Sequence, residues 1–102
     1  MKKINTEEFE NLKYGDKVYR FFNDRIKRYY FVAKMPKSET TYILCDGTDI
    51  ISVFISKQRG LTDTFFSGEY NSEFIGKYLI ENYEKKIRIV EEIYLSDGDD
   101  NF

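Results

Sequence analysis

Basic and aromatic side chains alternate along one short stretch of the sequence, and these residue types could bind an anion or a macromolecule. Between residues 24 and 36 the chain reads DRIKRYYFVAKMP. Basic side chains attract phosphates and carboxylates, while aromatic rings stack on nucleobases or become buried in protein interfaces. The candidate partner-binding residues are Arg25, Lys27, Arg28, Tyr30 and Lys34.

The same stretch also has the period-two alternation of a half-buried β-strand, which defines an apolar face and a mixed face. The apolar face would comprise Tyr29, Phe31, Ala33 and Met35, and the mixed face Arg28, Tyr30, Val32 and Lys34. Burial of one face explains most of this pattern without any ligand. We therefore expect function to reside on the mixed face.

Few of the residue types needed for common catalytic and metal sites are present. The chain has no His and a single Cys, Cys45, which excludes Ser-His and Cys-His pairs and thiolate-rich zinc sites. The glycine-rich phosphate-binding motifs GxxxxGK[ST] and GxGxxG do not occur in it. Its acidic pairs, such as Asp46 with Asp49 and Glu91 with Glu92, have ordinary explanations in turns and strand irregularities. The sequence thus predicts a non-catalytic protein with no metal and no cofactor.

The charges are divided between two regions of the chain, although the whole protein carries a net charge of only −2. Residues 17–37 contain seven basic side chains and one acidic one, whereas residues 63–102 contain ten acidic and four basic ones. The sequence pI of about 5.2 argues against tight nonspecific binding to duplex nucleic acid, which depends on many phosphate contacts. A protein partner is therefore the preferred expectation.

Capping and turn signals predict the elements that position these residues. Asn5 followed by Glu8 forms a capping box and predicts a short helix to about Leu12. Strands are expected near residues 17–22, 28–35, 40–45 and 50–55, with turns at Asn23-Asp24 and Asp46-Gly47. Residues 61–70 fit either a loop or a short strand. After residue 71 the apolar residues recur at helical spacing, which predicts a C-terminal helix. Residues 87–95 are rich in β-forming types and predict a last strand.

This order of elements indicates an α+β fold with a small, mainly antiparallel, strongly bent sheet of four to five strands. A short N-terminal helix precedes the sheet, and a C-terminal helix is followed by the last strand. Such a sheet either closes into an SH3-like or OB-like barrel or stays open beneath the helix. The length of 102 residues predicts one domain at 1–95 and an acidic C-terminal tail at 96–102.

The expected location is the cytoplasm, since no amino-terminal apolar run resembles a signal peptide or a membrane span. A lone cysteine also cannot form an internal disulfide.

The expected function is that of a small binding protein that occupies a surface of another macromolecule. This profile is typical of small phage or mobile-element proteins that inhibit host defence or transcription machinery, an analogy at the level of protein class. The alternative is a single-stranded nucleic-acid or nucleotide binder that uses the basic aromatic hairpin 17–37. An enzyme relying only on carboxylates and lysines is the least favoured class.

Overall fold

A computed structural model describes residues 1–97 of the chain. These fall into two compact units: the first is Met1–Tyr70, and the second begins at Asn71. The first unit contains a curled antiparallel sheet and a short helix, and the second contains one long helix. Most of the acidic tail expected at 96–102 lies outside the described residues.

The described residues form seven strands and two helices. In chain order they are β1 (Lys2–Lys3), α1 (Thr6–Glu10), β2 (Lys17–Phe22), β3 (Arg25–Lys34), β4 (Thr41–Cys45), β5 (Ile50–Ser56), β6 (Gly60–Leu61), β7 (Thr64–Ser67) and α2 (Ser72–Asp97). The strands lie side by side in the order β1-β7-β2-β3-β4-β5-β6, and the pairing is antiparallel throughout. The α+β class and the bent antiparallel sheet are thus confirmed, but the sheet has more strands than the four to five expected.

Helix α1 begins as the capping box predicts and carries the centre of the hydrophobic core. The Asn5 side chain accepts a hydrogen bond from the Glu8 N–H at 2.8 Å, and the Glu8 carboxylate accepts one from the Asn5 N–H at 3.2 Å. Phe9 is fully buried, and its ring centroid lies 5.5 Å from that of Tyr42 and 5.0 Å from that of Phe65. We call the side of the sheet that carries this core the inner face and the opposite side the outer face.

Strands β2 and β3 form the expected hairpin, closed by a two-residue turn. Asn23 and Asp24 both adopt positive φ, at 51° and 59°, as a type I′ turn requires. Asn and Asp tolerate this conformation better than other non-glycine residues. Pairing runs without interruption from Phe22 opposite Arg25 to Lys17 opposite Tyr30.

A β-bulge in β3 changes which side chains face the core. Phe31 lies opposite Leu44, but Ala33 lies opposite Ile43, so Val32 is an extra residue on this strand. An inserted residue reverses the inward and outward alternation of everything that follows it. The period-two assignment therefore holds only as far as Phe31.

Three residues after the bulge lie on the opposite face from the one expected. Lys34 pairs with the core residue Tyr42 and belongs to the inner face, whereas the sequence pattern placed it on the mixed face. Ala33 and Met35 were expected in the core, but both are exposed, and the backbone of Met35 hydrogen-bonds to Thr41.

Helix α2 contradicts the last strand expected at residues 87–95, because the helix continues to Asp97. The β-branched residues there suggested a strand, yet no Gly, Pro or turn pair separates them from the helix before them. Extending an existing helix needs no new nucleation. Glu81 with Lys85 and Glu84 with Arg88 also have the i, i+4 order that favours helix.

Candidate binding surfaces

The structure divides the five predicted partner-binding residues between two faces of β3. Arg25 and Lys27 share the inner face, near the hairpin turn, and Lys34 lies on the same face beyond the bulge. Arg28 and Tyr30 lie on the outer face, with the Arg28 guanidinium carbon 5.4 Å from the centre of the Tyr30 ring. The five residues therefore do not form one site.

The first surface is a groove of about 570 Å³ at the end of the β2–β3 hairpin, here called the hairpin groove. Its lining residues are Arg20, Phe22, Asn23, Arg25, Ile26, Lys27 and Tyr29. Phe22 is 54% exposed, and its ring lies 4.4 Å from the Arg20 guanidinium carbon. This groove offers cations beside an aromatic ring, a combination that can bind a base or an anionic group.

Two of the three groove cations already have carboxylate partners. Arg20 donates from Nε and Nη2 to Asp63 Oδ2 at 3.2 and 2.9 Å, and Lys27 Nζ lies 2.6 Å from Asp46 Oδ2. Among residues 1–97, Arg25 has no ion pair. The paired carboxylates cancel much of the positive charge that an anionic ligand would meet.

Asp46 lies in the β4–β5 turn and also forms an ion pair with Lys27 of the β2–β3 hairpin. The hydrogen bond to Lys27 holds the pKa of Asp46 well below its usual range, and the N–H groups of Asp49 and Thr48 add to this effect. The same bond raises the pKa of Lys27. Only 8% of the Asp46 side chain is exposed, so this ion pair ties the β4–β5 turn to β3.

The second surface lies on the outer face of β3, β4 and β5 and follows from the pairing register. Tyr30 lies opposite Cys45, which lies opposite Ile50, so these three side chains form one row across the three strands. A parallel row contains Met35, Thr41 and Phe54. Ile43 lies between the two rows.

Several large side chains of these rows are unusually exposed for apolar residues. Ile50 is 71% exposed, Phe54 63% and Met35 41%, while Tyr30 and Ile43 are half-buried. We call this set of five residues the outer patch. Arg28, stacked on Tyr30, lies at its margin and has no ion pair within residues 1–97.

On the half of the outer face formed by β2 and β7, two aromatic side chains are buried. Tyr19 on β2 is 7% exposed and Phe66 on β7 is fully buried, although both lie on the face opposite the core. The Tyr70 ring covers part of this region, with its centroid 5.7 Å from that of Tyr19. Tyr70 itself is 56% exposed, but the strand residues beneath it, Tyr19 and Phe66, are buried.

Sequence reasoning missed most members of both surfaces. In the sequence, Ile50 and Phe54 belong to an apolar stretch that predicts a strand, and no feature of that stretch indicates that their side chains are exposed. Alternation along β5 could have shown that both share a face with Ser52, a polar residue, rather than with Val53. Arg20 and Phe22 belonged to the basic region, but only the hairpin pairing brings them beside Arg25 and Lys27.

Two further kinds of feature were sought in the part of the chain that the structure describes: metal-ligand clusters and membrane-spanning helices. Residues 1–97 contain no group of three or more His, Cys, Asp or Glu side chains placed to hold a metal ion. No helix within them is both long and apolar enough to cross a membrane. Comparison of the chain with protein-family models, curated proteins and solved structures finds no match.

Proposed function

We propose that this protein is a non-catalytic binding protein that occupies a surface of a protein partner, and that the outer patch with Arg28 is its contact surface. The observation that carries the proposal is the exposure of Ile50, Phe54 and Met35 on one continuous part of the sheet. Soluble proteins seldom leave such neighbouring apolar groups in water unless another molecule covers them.

The composition of this surface supports a protein partner over a small ligand. Aromatic residues, Met and Arg are the types enriched in protein interfaces, and Tyr and Arg dominate the residues that contribute most binding energy. Tyr30 and Arg28 stack on each other and are partly pre-ordered, which reduces the entropy lost on binding. The partner surface that fits is apolar at its centre and has a carboxylate at the edge that meets Arg28.

More specifically, we propose that this protein inhibits host defence or transcription machinery, as small phage or mobile-element proteins do. Such an inhibitor needs only to cover a surface of its target, and a sheet face with a few large side chains is sufficient for that purpose. The analogy is one of protein class and rests on size and composition.

The hairpin groove favours a second candidate, the binding of single-stranded nucleic acid. Phe22 provides an exposed ring beside Arg20 and Arg25, which is the arrangement that stacks a base and contacts its phosphate. We place it second because Asp63 and Asp46 already pair with two of the three cations.

The proposal is tested by affinity capture with a surface variant and a matched control. Tagged protein is mixed with nuclease-treated bacterial lysate, and the captured partner is purified for affinity measurement. We expect Arg28→Ala with Tyr30→Ala to weaken the complex by about thirtyfold or more, as loss of about 2 kcal/mol at such residues does.

The matched control is Tyr14→Ala, since Tyr14 is 83% exposed but lies outside the outer patch. It should bind the partner like the parent, and both variants should retain the parent's melting temperature. Capture of no protein, or equal affinity of the parent and the double variant, would contradict the proposal.

A further inference from the structure

A row of exposed apolar side chains runs along the middle of helix α2. Ile80, Tyr83 and Ile87 are 61%, 65% and 41% exposed. The residues between them are exposed as well, except Asn82, which is half-buried. Single exposed apolar residues are common on proteins, but three along one side of a helix form a patch of the kind that another molecule covers.

The spacing of these residues is that of a coiled coil. They lie three and then four residues apart, and the sequence continues the same spacing with Val90 and Tyr94. In the heptad notation abcdefg, Ile80, Ile87 and Tyr94 occupy a positions, and Tyr83 and Val90 occupy d positions. We call these five residues the α2 seam. A stripe of a and d residues is narrow, and a second helix with the same spacing is the surface that fits it.

The start of α2 buries the opposite side of the helix. Ile75 is 5% exposed, and Phe74 and Tyr78 are half-buried. Extending the same heptad backwards assigns these three residues to positions c, b and f, which lie away from the a and d positions. The half-buried Asn82 is also a c residue. The burial of apolar residues at the start of α2 therefore does not use the side that carries the seam.

We propose that residues 80–94 of α2 form a parallel, two-stranded coiled coil with the same residues of a second copy of this chain. The charges beside the seam favour this partner. In a parallel pair, a g residue of one helix lies next to the e residue of the following heptad on the other helix. Lys86 is a g residue and Glu91 is that e residue, so opposite charges meet on both sides of a two-fold dimer.

An antiparallel pair of the same helices would bring like charges together. In that arrangement g residues lie next to g residues, and e residues next to e residues. With Tyr83 of one copy opposite Ile87 of the other, Lys86 meets its own counterpart and so does Glu84. Like charges at these positions disfavour the pairing, so the sequence selects the parallel orientation. The β-branched Ile80 and Ile87 at a positions also favour two strands.

The inference does not depend on the proposed function. The outer patch belongs to the first unit, Met1–Tyr70, whereas the seam lies on α2 in the second. A dimer formed through α2 would present two copies of the outer patch.

The first test is the mass of the purified protein in solution, measured by light scattering and sedimentation equilibrium from about 5 to about 500 μM. We expect the mass to rise with concentration from that of a monomer to twice that value. Ile87→Lys places two like charges opposite each other inside the seam, so it should weaken dimerisation at least tenfold.

The matched control is Tyr14→Lys, which introduces the same charge in place of an apolar side chain that is 83% exposed and lies outside α2. It should dimerise like the parent. Both variants should keep the parent's melting temperature at about 5 μM, because both sites are exposed in the single chain.

The second test determines the orientation by exchanging charges. Lys86→Glu places acidic groups opposite each other in the parallel pair, so it should weaken dimerisation severalfold. Combining it with Glu91→Lys restores opposite charges across the parallel pair and should return the affinity to that of the parent. In an antiparallel pair, Lys86→Glu would only exchange one like-charge contact for another and leave the affinity unchanged.

Three results would overturn the inference. A parent that remains monomeric at the highest concentration excludes the dimer. An Ile87→Lys dimer as strong as the parent's places the interface outside the seam. A combined Lys86→Glu and Glu91→Lys variant that dimerises no better than Lys86→Glu alone excludes the parallel orientation. These measurements use the purified protein alone, so their failure leaves the partner captured from the lysate and its contact surface unaffected.

Discussion

Asp46 has two structural roles, which only the folded chain combines. Its carboxylate accepts hydrogen bonds from the Thr48 and Asp49 N–H groups within the turn, and it also pairs with Lys27 on β3. The turn bonds join neighbours in sequence, so Asp46 followed by Gly47 predicts them. The Lys27 contact joins residues nineteen positions apart and depends on strand register.

The pKa of Asp46 provides the first residue-scale prediction. Because folding lowers this pKa below its ordinary value of 3.8, the stabilisation that Asp46 contributes is present above about pH 4 and is lost as the pH falls through the folded value. In Lys27→Met the Asp46 pKa should rise toward 3.8 but remain below it, since the two N–H donors persist.

NMR titration of the Asp46 carboxyl carbon measures this directly. Melting curves provide a second check, because Asp46→Asn should lower the melting temperature more at pH 7 than at pH 2. An Asp46 pKa that does not move in Lys27→Met would mean that the ion pair does not form in solution.

At the scale of elements, the bulge in β3 decides which residues stabilise the fold. Phe31 precedes Val32 and lies in the core, where its ring contacts those of Phe9 and Tyr42. Met35 follows Val32 and is exposed on the outer face. A regular strand would place both side chains on the same face.

These two residues therefore respond differently to substitution. Phe31→Ala should lower the free energy of unfolding by about 3–5 kcal/mol, as truncation of a buried aromatic ring does. Met35→Lys should change it by no more than about 0.5 kcal/mol, the usual range at exposed positions. Urea unfolding of both variants tests the bulge, and a loss of several kcal/mol in Met35→Lys would show that Met35 is in the core.

At the scale of the whole molecule, the basic region is less available to an anion than its composition suggests. Residues 17–37 have a large excess of positive charge, yet Asp63 and Asp46 pair with Arg20 and Lys27 from elsewhere in the first unit. Dissolved salt screens these charges and further weakens the attraction between the remaining basic side chains and phosphates. The protein's charge is negative in total.

We accordingly expect weak binding of single-stranded oligonucleotides. Fluorescence anisotropy with a labelled oligothymidine at about 150 mM salt should give a dissociation constant well above 1 μM. Micromolar or tighter binding that falls steeply with salt and is lost in Phe22→Ala with Arg25→Ala would instead establish the hairpin groove as a stacking site. Lys57→Ala, at an exposed cation away from the groove, is the matched control.

The sequence by itself determined the features that depend on near neighbours. Asn5 and Glu8 marked the start of α1, Asn23-Asp24 and Asp46-Gly47 marked turns, and alternation placed Tyr29 and Phe31 in the core. Each of these rests on hydrogen bonds or side-chain directions set within a few residues, so local chemistry is sufficient.

Tertiary structure alone decided the rest, because those features depend on which distant residues lie opposite one another. Val32 becomes an extra residue only when β4 pairs with β3, and Tyr30 lies in one row with Ile50 only through the register of three strands. Residues 87–95 have the composition of a strand but continue a helix that begins at Ser72. The outer patch could not be read from the sequence, because an exposed strand and a buried one contain the same apolar residues until their neighbours are known.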